Sequence, residues 1–491
     1  MVDFTATTGN DNPPLSAGDD IVRVTTTGLI QAADTFQGGD GIDTIIIGTK
    51  NASVAIDLSL ASSDGTAGFL NFEALAFGNT GNGGQSAAVT LSSAQFGTGK
   101  ISNTLAVSGT AGTNAVQSIT VNVVSGGSFS ATGWTFTNWS TNTSTDTITI
   151  NGAAGNETIY GSTRDDLINA GDGADIISAV AGNDTVNAGG GDDLIWSGRG
   201  NDVIDGGTGI DTIHYVTSLT PVTVTFSTAT AATATNGTFT DTLSNVEGFV
   251  LTTGSDTFNG GDGDDIVTGG RGADVLNGGA GADTFIYGAA DGADTIDGGT
   301  GIDTVKLVSS TIMVLAPTVF ANWSNIEIID ASATTLAKIQ GTTGADTIDM
   351  SAFSQLINVE LNGGGGNDTI IGTAGDDLIV GGGGADVLTG NGGADTFVFP
   401  TQFQSSALYS DTITDMGADD TIDLSAIDAN SGLAGDQAFV WIGTDAFSKT
   451  AGELRYDATL GAILGDVTGN GRADLQIFIP NYTPDGTEFL L

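Results

Sequence analysis

The sequence predicts an all-β protein, in which parallel β-roll or β-helix arrays are joined by β-rich spacers and followed by a β-rich C-terminal domain. Three observations predict it. A nine-residue unit, with glycines favoured at its first, second and fourth places, an aspartate sixth and a large apolar residue eighth, recurs in register along the chain. Glycine supplies 76 of the 491 residues, about twice its usual share of roughly 7%. The stretches between arrays are rich in Thr, Val and Ala with rough alternation, and helical spacing is scarce.

In chain order, residues 1–150 read as a β-rich N-terminal domain with an anchoring or assembly role. Residues 118–124 (SITVNVV) and the stretch TITINGA from Thr147 alternate as short strands do, and Asp34 and Asp43 form an outlying repeat pair. Residues 151–215 are the first array, which runs from Gly152 as GAAGNETIY, GSTRDDLIN, AGDGADIIS, AVAGNDTVN, AGGGDDLIW, SGRGNDVID and GGTGIDTIH. Its sixth positions are Glu157, Asp166, Asp175, Asp184, Asp193, Asp202 and Asp211; its eighth are Ile159, Ile168, Ile177, Val186, Ile195, Ile204 and Ile213. A β spacer (216–253) leads to the second array (254–306), with Asp256, Asp265, Asp274 and Asp283, then Asp294 and Asp303 after a two-residue slip at Ala289 and Ala290. A further β spacer (307–361) leads to the third array (362–399), with Asp368, Asp377, Asp386 and Asp395, and residues 400–491 form the C-terminal domain. LNFEAL at Leu70, SNVEGF at Ser244 and SNIEII at Ser324 share an Asn-x-Glu core, read as a structural turn.

Composition narrows the function classes. Lys and Arg number 11 against a net charge of −47, which excludes nucleic acid as a partner because binding it depends on neutralising phosphates. Without cysteine, disulfides and thiolate zinc sites are ruled out. The start lacks a basic segment followed by an apolar one, and no 18-residue apolar run occurs, so neither a cleaved export signal nor a membrane span is expected. With His214 the sole histidine, H-E-x-x-H cannot occur, and no G-x-S-x-G turn supports a triad through it; a surface histidine is expected. Among 58 acids no glycosidase pair stands out.

The repeat has a physical logic. Glycines permit left-handed turns and close backbone approach, and the short strand that follows points its apolar residue inward. If each repeat is half a turn, residues 18 apart stack at about 4.8 Å, one strand spacing. That places Asp166, Asp184 and Asp202 in one ladder and Asp175, Asp193 and Asp211 in another. Carboxylates at such spacing repel by about 1 kcal/mol in water and by several-fold more where water is thinned. A cation is therefore required. Oxygen ligands without sulfur or imidazole, in an irregular cage, suit calcium better than magnesium. One thin apolar layer is too little to offset the backbone entropy of so many glycines, so metal binding is expected to supply much of the folding energy.

The repeats resemble the repeat-in-toxin (RTX) family. The resemblance implies that each calcium takes the carbonyls at positions two and four and the aspartate of one repeat, with the carbonyls at positions one and three and the aspartate two repeats later. Carried onto the first array, Gly171, Gly173 and Asp175 join Ala188, Gly190 and Asp193. Likewise Val180, Gly182 and Asp184 join Ser197, Arg199 and Asp202, and Gly189, Gly191 and Asp193 join Gly206, Thr208 and Asp211. In the second array, Thr252, Gly254 and Asp256 join Gly269, Arg271 and Asp274, and Gly261, Gly263 and Asp265 join Gly278, Ala280 and Asp283. Asp294 and Asp303 follow the slip. In the third, Gly364, Gly366 and Asp368 join Gly381, Gly383 and Asp386, and Thr373, Gly375 and Asp377 join Gly390, Gly392 and Asp395. Glu157, Arg164, Arg199 and the slip depart from the pattern.

From Asp411 the chain resembles the C-terminal domain of serralysin-type proteases and other type I secreted proteins. The ending Glu488, Phe489, Leu490 and Leu491 is similar to that family's uncleaved secretion signal, which implies the type I secretion machinery as a partner. Asp466, Thr468, Asn470 and Asp474, with Gly471 at the turn, have the spacing of a partial EF-like loop, with a plain Asx-turn as the alternative. The expectation is a secreted, extracellular or cell-surface protein, not an enzyme, that folds on several calcium ions and assembles as a homo-oligomer or polymer into a surface layer, filament or matrix. RTX surface-layer proteins share this profile. A cell-surface glycan or lipopolysaccharide is a further expected partner. The alternatives are a monomeric extracellular calcium-binding or adhesion module, and a polysaccharide-active enzyme with its site in residues 47–150.

Overall fold

A computed structural model describes residues 3–7, 11, 13, 15–26, 35–48, 54–58, 68–78, 86–98, 100–109, 116–139, 146–216 and 220–491. Asp34, of the outlying pair, lies outside the described residues. The chain divides into two compact units, Met1–Gly261 and Asp262–Leu491. Among the described residues the helices are two short 3-10 turns, Ser93–Gln95 and Pro317–Asn322, and no helix is long and apolar enough to cross a membrane.

In the first unit the strands stack as parallel coils. One sheet runs Val54–Asp57, Ser86–Ser92, Val116–Asn122, Thr147–Asn151, Asp166–Asp172, Thr185–Gly190, Val203–Thr208 and Thr240–Ser244, all parallel. A facing series runs Ser128–Ser130, Thr158–Tyr160, Ile176–Ser178, Leu194–Trp196, Thr212–His214 and Gly248–Val250. Within the array the register step is 18, with Leu167 opposite Thr185 and Thr185 opposite Val203, because two nonapeptides complete one coil. The alternating stretches at residues 118–122 and 147–151 pair in register and continue into Asp166–Asp172. A third sheet carries Asp3–Thr5, Ile21–Val24, Thr44–Ile47, Phe72–Phe77, Ile101–Ser108 and Thr135–Thr137.

The core follows from the eighth position. Ile159, Ile168, Ile177, Val186, Ile195, Ile204 and Ile213 are all fully buried, one behind another; the three-residue strands offer that one inward side chain, while the longer Asp166–Asp172 and Thr185–Gly190 add Ala170 and Ala188. Aromatic residues fill the wider coils, as where Phe36 stacks on Phe69 at 4.9 Å and Phe96, Phe129 and Trp134 meet edge and face. The spacer breaks the parallel order with an antiparallel pair, Thr223–Thr228 and Ala231–Thr235. It returns through Gly237 at φ 79° with the Asn236 side chain accepting from the backbone of Thr238 and Phe239.

The second unit repeats the architecture. Val275–Ala280 pairs parallel with Thr295–Thr300, and Ile266–Thr268, Thr284–Gly288, Thr304–Val308 and Ile328–Asp330 follow one another on the facing side. The two-residue slip is absorbed in a turn: Val275 stands opposite Thr295, and the Asp291 carboxylate accepts the Gly288 N–H while Tyr287 Oη donates to the Gly292 carbonyl at 2.9 Å. Two later series end the chain. Thr369–Ile371, Val387–Thr389 and Asp411–Ile413 reach Leu475–Phe478, which turns antiparallel into Ala462–Asp466 and Glu453–Asp457. Leu378–Val380, Thr396–Val398 and Thr421–Asp423 receive the final strand, Phe489–Leu490.

Candidate metal centres

Each sixth-position aspartate sits just before an inward-facing strand, so its side chain lies against the turn of the neighbouring coil. One carboxylate oxygen ties adjacent coils together: Oδ1 of Asp193 accepts the N–H of Asp175 at 2.7 Å, and Asp211 accepts that of Asp193 at 2.9 Å. Asp184 and Asp202 do the same for Asp166 and Asp184, both at 2.8 Å. The link survives the slip, with Asp274 donating to Asp294 at 2.9 Å and Asp283 to Asp303 at 2.8 Å. In the third array Asp368 donates to Asp386 and Asp377 to Asp395.

The second oxygen is left over. Oδ2 of Asp175, Asp184, Asp193, Asp202, Asp211, Asp283, Asp303, Asp368 and Asp386 is buried with no hydrogen-bond donor, a costly state for a carboxylate. Where the first position is glycine a main-chain carbonyl lies beside it: a Cβ on Gly363 would meet both Asp368 Oδ2 and the Gly381 carbonyl, and one on Gly278 both Asp283 Oδ2 and the Gly298 carbonyl. Gly191 has φ 116° and Gly209 φ 135°, and a Cβ on either would run into the carbonyl oxygen of Gly173 or Gly191 one coil back. The position-three carbonyls of Gly190, Thr208 and Gly383 accept from position-four N–H groups of Gly173, Gly191 and Gly366, each keeping a second lone pair. Buried carboxylate oxygens without donors, beside converging carbonyls, are the donor set of a hard divalent cation. Among the described residues no group of three or more His, Cys, Asp or Glu side chains converges.

The electrostatics agree. Burial, then the charges of Asp166 and Asp202, push Asp184 up to about 9. Burial dominates likewise for Asp193 and Asp202, raised to about 7, and for Asp411, raised to about 8 with the Asp386 charge adding to it.

Several positions differ from the regular pattern. Where Ser or Thr takes the second place, its own hydroxyl and N–H occupy the carboxylate: Thr252 bonds Asp256 and Thr373 bonds Asp377, as Ser162 does Asp166. Thr252, Gly254, Asp256 and Gly261 belong to the first unit; Gly263, Asp265, Gly269, Arg271 and Asp274 belong to the second. Gly278 borders Asp283 Oδ2, and Gly281, one place after Ala280, lies over the Gly263 carbonyl. Glu157 turns its longer side chain to its own loop and the preceding coil, accepting from Gly126 at 2.5 Å and Ala153 at 3.0 Å. Val180 occupies a left-handed φ of 78° that glycine holds elsewhere.

His214 is half-buried rather than a surface residue, its ring 4.8 Å from that of Trp196 because the ninth positions of adjacent coils stack. Ser197, His214 and Asp241 line one small cleft, but Asp241 is taken by the Asp202 N–H and the Tyr215 hydroxyl, both at 3.0 Å. In the EF-like loop, Asp466 accepts from Gly469, Asn470 and Gly471, and Asp474 from Val467 and Thr468, the geometry of an Asx-turn. Sequence reasoning missed the role of the Asn-x-Glu segments: Glu73, Glu247 and Glu327 accept the N–H of Asp43, Asp211 and Asp303. The signal was their placement after a repeat that contains GIDT each time.

Comparison with known families agrees with this geometry. Residues 31–46, 151–186, 178–213, 251–285 and 289–305 match the RTX calcium-binding nonapeptide repeat, and residues 320–483 match the Peptidase M10 serralysin C terminal. The chain is thus an RTX-repeat protein with a serralysin-type C-terminal region. It is secreted and extracellular, its repeats bind several calcium ions, and its C-terminal region implies export by the type I secretion machinery. Neither matched region is a catalytic domain. No curated protein matches the chain. Among solved structures, the extracellular lipase LipA from Serratia marcescens is similar at 15% identity and a TM-score of 0.21, over 73% of this chain and 44% of the lipase. The chain therefore spans less than half the length of that lipase.

Proposed function

We propose that this protein is a structural component that folds on calcium outside the cell and self-assembles there into a surface layer, filament or matrix. The observation that carries the reading is how much of each unit consists of stacked parallel coils whose polar side chains serve the coil-to-coil ladders. The ligand sets expected from the repeats that lie within one unit are the proposed calcium sites. Best supported is Gly364, Gly366 and Asp368 with Gly381, Gly383 and Asp386, where the donorless Oδ2 of Asp368 and the Gly381 carbonyl both border Gly363; the sets of Gly171, Gly173 and Asp175 with Ala188, Gly190 and Asp193, and of Gly189, Gly191 and Asp193 with Gly206, Thr208 and Asp211, share the donorless Oδ2. The arrays hold the metal, and residues 1–150 serve anchoring or copy-to-copy contact.

Assembly is supported by surfaces suited to a second copy. Phe403, Leu408 and Tyr409 stand 77%, 80% and 53% exposed on one loop, an apolar group of the kind that marks contact sites. Strands Asp3–Thr5 and Thr135–Thr137 lie at the two ends of their sheet, with an edge that no strand covers among the described residues. Electron microscopy of the purified chain with and without calcium tests the reading. Ordered sheets or fibres that need calcium are expected; a monodisperse monomer at high protein concentration would overturn assembly in favour of a soluble adhesion module.

A further inference from the structure

The Asn-x-Glu segments at Asn71, Asn245 and Asn325 terminate arrays, unlike Asn358–Glu360, which leads into the third array and whose glutamate pairs with Lys338 at 2.8 Å. Asn71, Asn245 and Asn325 take left-handed φ values of 54°, 50° and 51°. Ala74 then pairs with Thr44, Gly248 with Thr212 and Ile328 with Thr304. Glu73, Glu247 and Glu327 therefore stand level with Asp43, Asp211 and Asp303, at the sixth position of a coil whose turn has been shortened.

The asparagine supplies the first position. A Cβ on Gly206 would meet the Asn245 carbonyl and, at 2.7 Å, Oδ2 of Asp211. Gly298 lies in the same way against the Asn325 carbonyl and Oδ2 of Asp303, and Gly38 against the Asn71 carbonyl and Oδ2 of Asp43. Inside an array the same two oxygens recur: Gly363 faces the Gly381 carbonyl and Asp368 Oδ2, and Gly372 the Gly390 carbonyl and Asp377 Oδ2. The shortened turn thus preserves the oxygen pair of a full repeat, and the extra methylene of glutamate offsets the missing loop residues.

Two further observations support a site there. Asp43, Asp211 and Asp303 are each 0% exposed, and Oδ2 of each lacks any hydrogen-bond donor. Oε2 of the facing glutamate accepts a backbone N–H at 2.9, 3.0 and 2.8 Å, which brings a second carboxylate level with the first. Two carboxylates so placed repel unless a cation lies between them. The outer hydrogen-bond ladder also stops at this point. Asp19 and Asp192 accept from Ile42 and Ile210 at 3.0 and 2.9 Å, and isoleucine has no acceptor to pass on.

We propose that each of these three Asn-x-Glu segments closes its array with a terminal calcium site, formed by the buried aspartate, the asparagine carbonyl and the glutamate carboxylate. In the first array these are Asp211, Asn245 and Glu247, joined by the carbonyls of Gly207 and Gly209. The inference rests on the repeats being calcium sites. Glu73, Glu247 and Glu327 are positioned ligands, not turn formers alone.

The test is calcium stoichiometry of the full chain by equilibrium dialysis, on E73Q, E247Q and E327Q separately. Glutamine keeps the acceptor for the aspartate N–H and removes the charge, so each variant should bind one ion fewer, or one ion at least tenfold more weakly, with its β-sheet spectrum retained in saturating calcium. An unchanged count and affinity in all three would overturn the proposal and leave the glutamates as hydrogen-bond caps. If a glutamine variant does not refold, Glu→Asp at the same position, one methylene short of the ion, carries the same expectation. Asp193→Asn, inside the first array, is the control: if it too leaves the count unchanged, the reading of the repeats fails, and not the terminal sites alone.

Discussion

At the scale of single residues, the ladder aspartates hold protons or metal, but do not tolerate bare charge. Their folded values lie above the ordinary carboxylate value of 3.8, up to about 7 for Asp193 and about 9 for Asp184, mainly through burial. Between those limits the folded, metal-free chain binds more protons than the unfolded one, so its stability falls as pH rises through the window and returns on acidification. In chelator, the β-sheet signal by circular dichroism is expected to be larger at pH 5 than at pH 8. With calcium present the competition reverses sign, and the calcium midpoint should move to higher concentration as pH drops from 7 to 5. Val180 makes a second residue-scale prediction. A β-branched side chain at φ 78° stores strain on the order of 1–3 kcal/mol, more than the flexibility glycine adds. Val180→Gly should therefore raise the calcium-loaded melting temperature.

At the scale of elements, the three-residue array strands, such as Leu194–Trp196, contribute one inward side chain each to the core, so no neighbour in the same strand can fill a gap. Ile195→Ala, at a fully buried site, should cost about 2–5 kcal/mol. Because folding and metal binding are coupled, the loss is read as a higher calcium midpoint in a circular-dichroism titration. The Thr-capped repeats respond differently. Thr373→Val removes the hydroxyl from Asp377, and calcium bound by the third array should change in affinity, while binding by the first array stays as before.

At the scale of the whole molecule, a net charge of −47 with 58 acidic residues favours an open chain until cations neutralise it. Exhaustive chelation at neutral pH should abolish most of the β-sheet spectrum and the cooperative melt, and returning calcium should restore both. A fold that kept its melting temperature without divalent metal would remove the basis for calcium-driven folding and for assembly with it. The C-terminal strand is part of this order. Phe489–Leu490 pairs with Thr421–Asp423, Phe489 packs 4.9 Å from Trp441, and Glu488 accepts from Tyr482 at 2.7 Å, so the apolar ending is engaged once the second unit has folded.

The sequence by itself determined the repeat length, the 18-residue step, the inward row from Ile159 to Ile213 and the calcium chemistry, because each is a local rule repeated often enough to be read without a partner. It also placed the carboxylates in ladders. What the tertiary structure alone decided was which oxygen of each ladder aspartate has a donor, that Thr252 and Thr373 occupy their own aspartates, and that Glu73, Glu247 and Glu327 stand in the sixth position. It also decided that residues 118–122 and 147–151 are coils of the same sheet as Asp166–Asp172. Ser118 pairs with Thr147 but Ile148 with Asp166, unequal steps along the chain, so no fixed period marks them in the sequence. Register, and with it the end of an array, is a relation between strands that only their pairing defines.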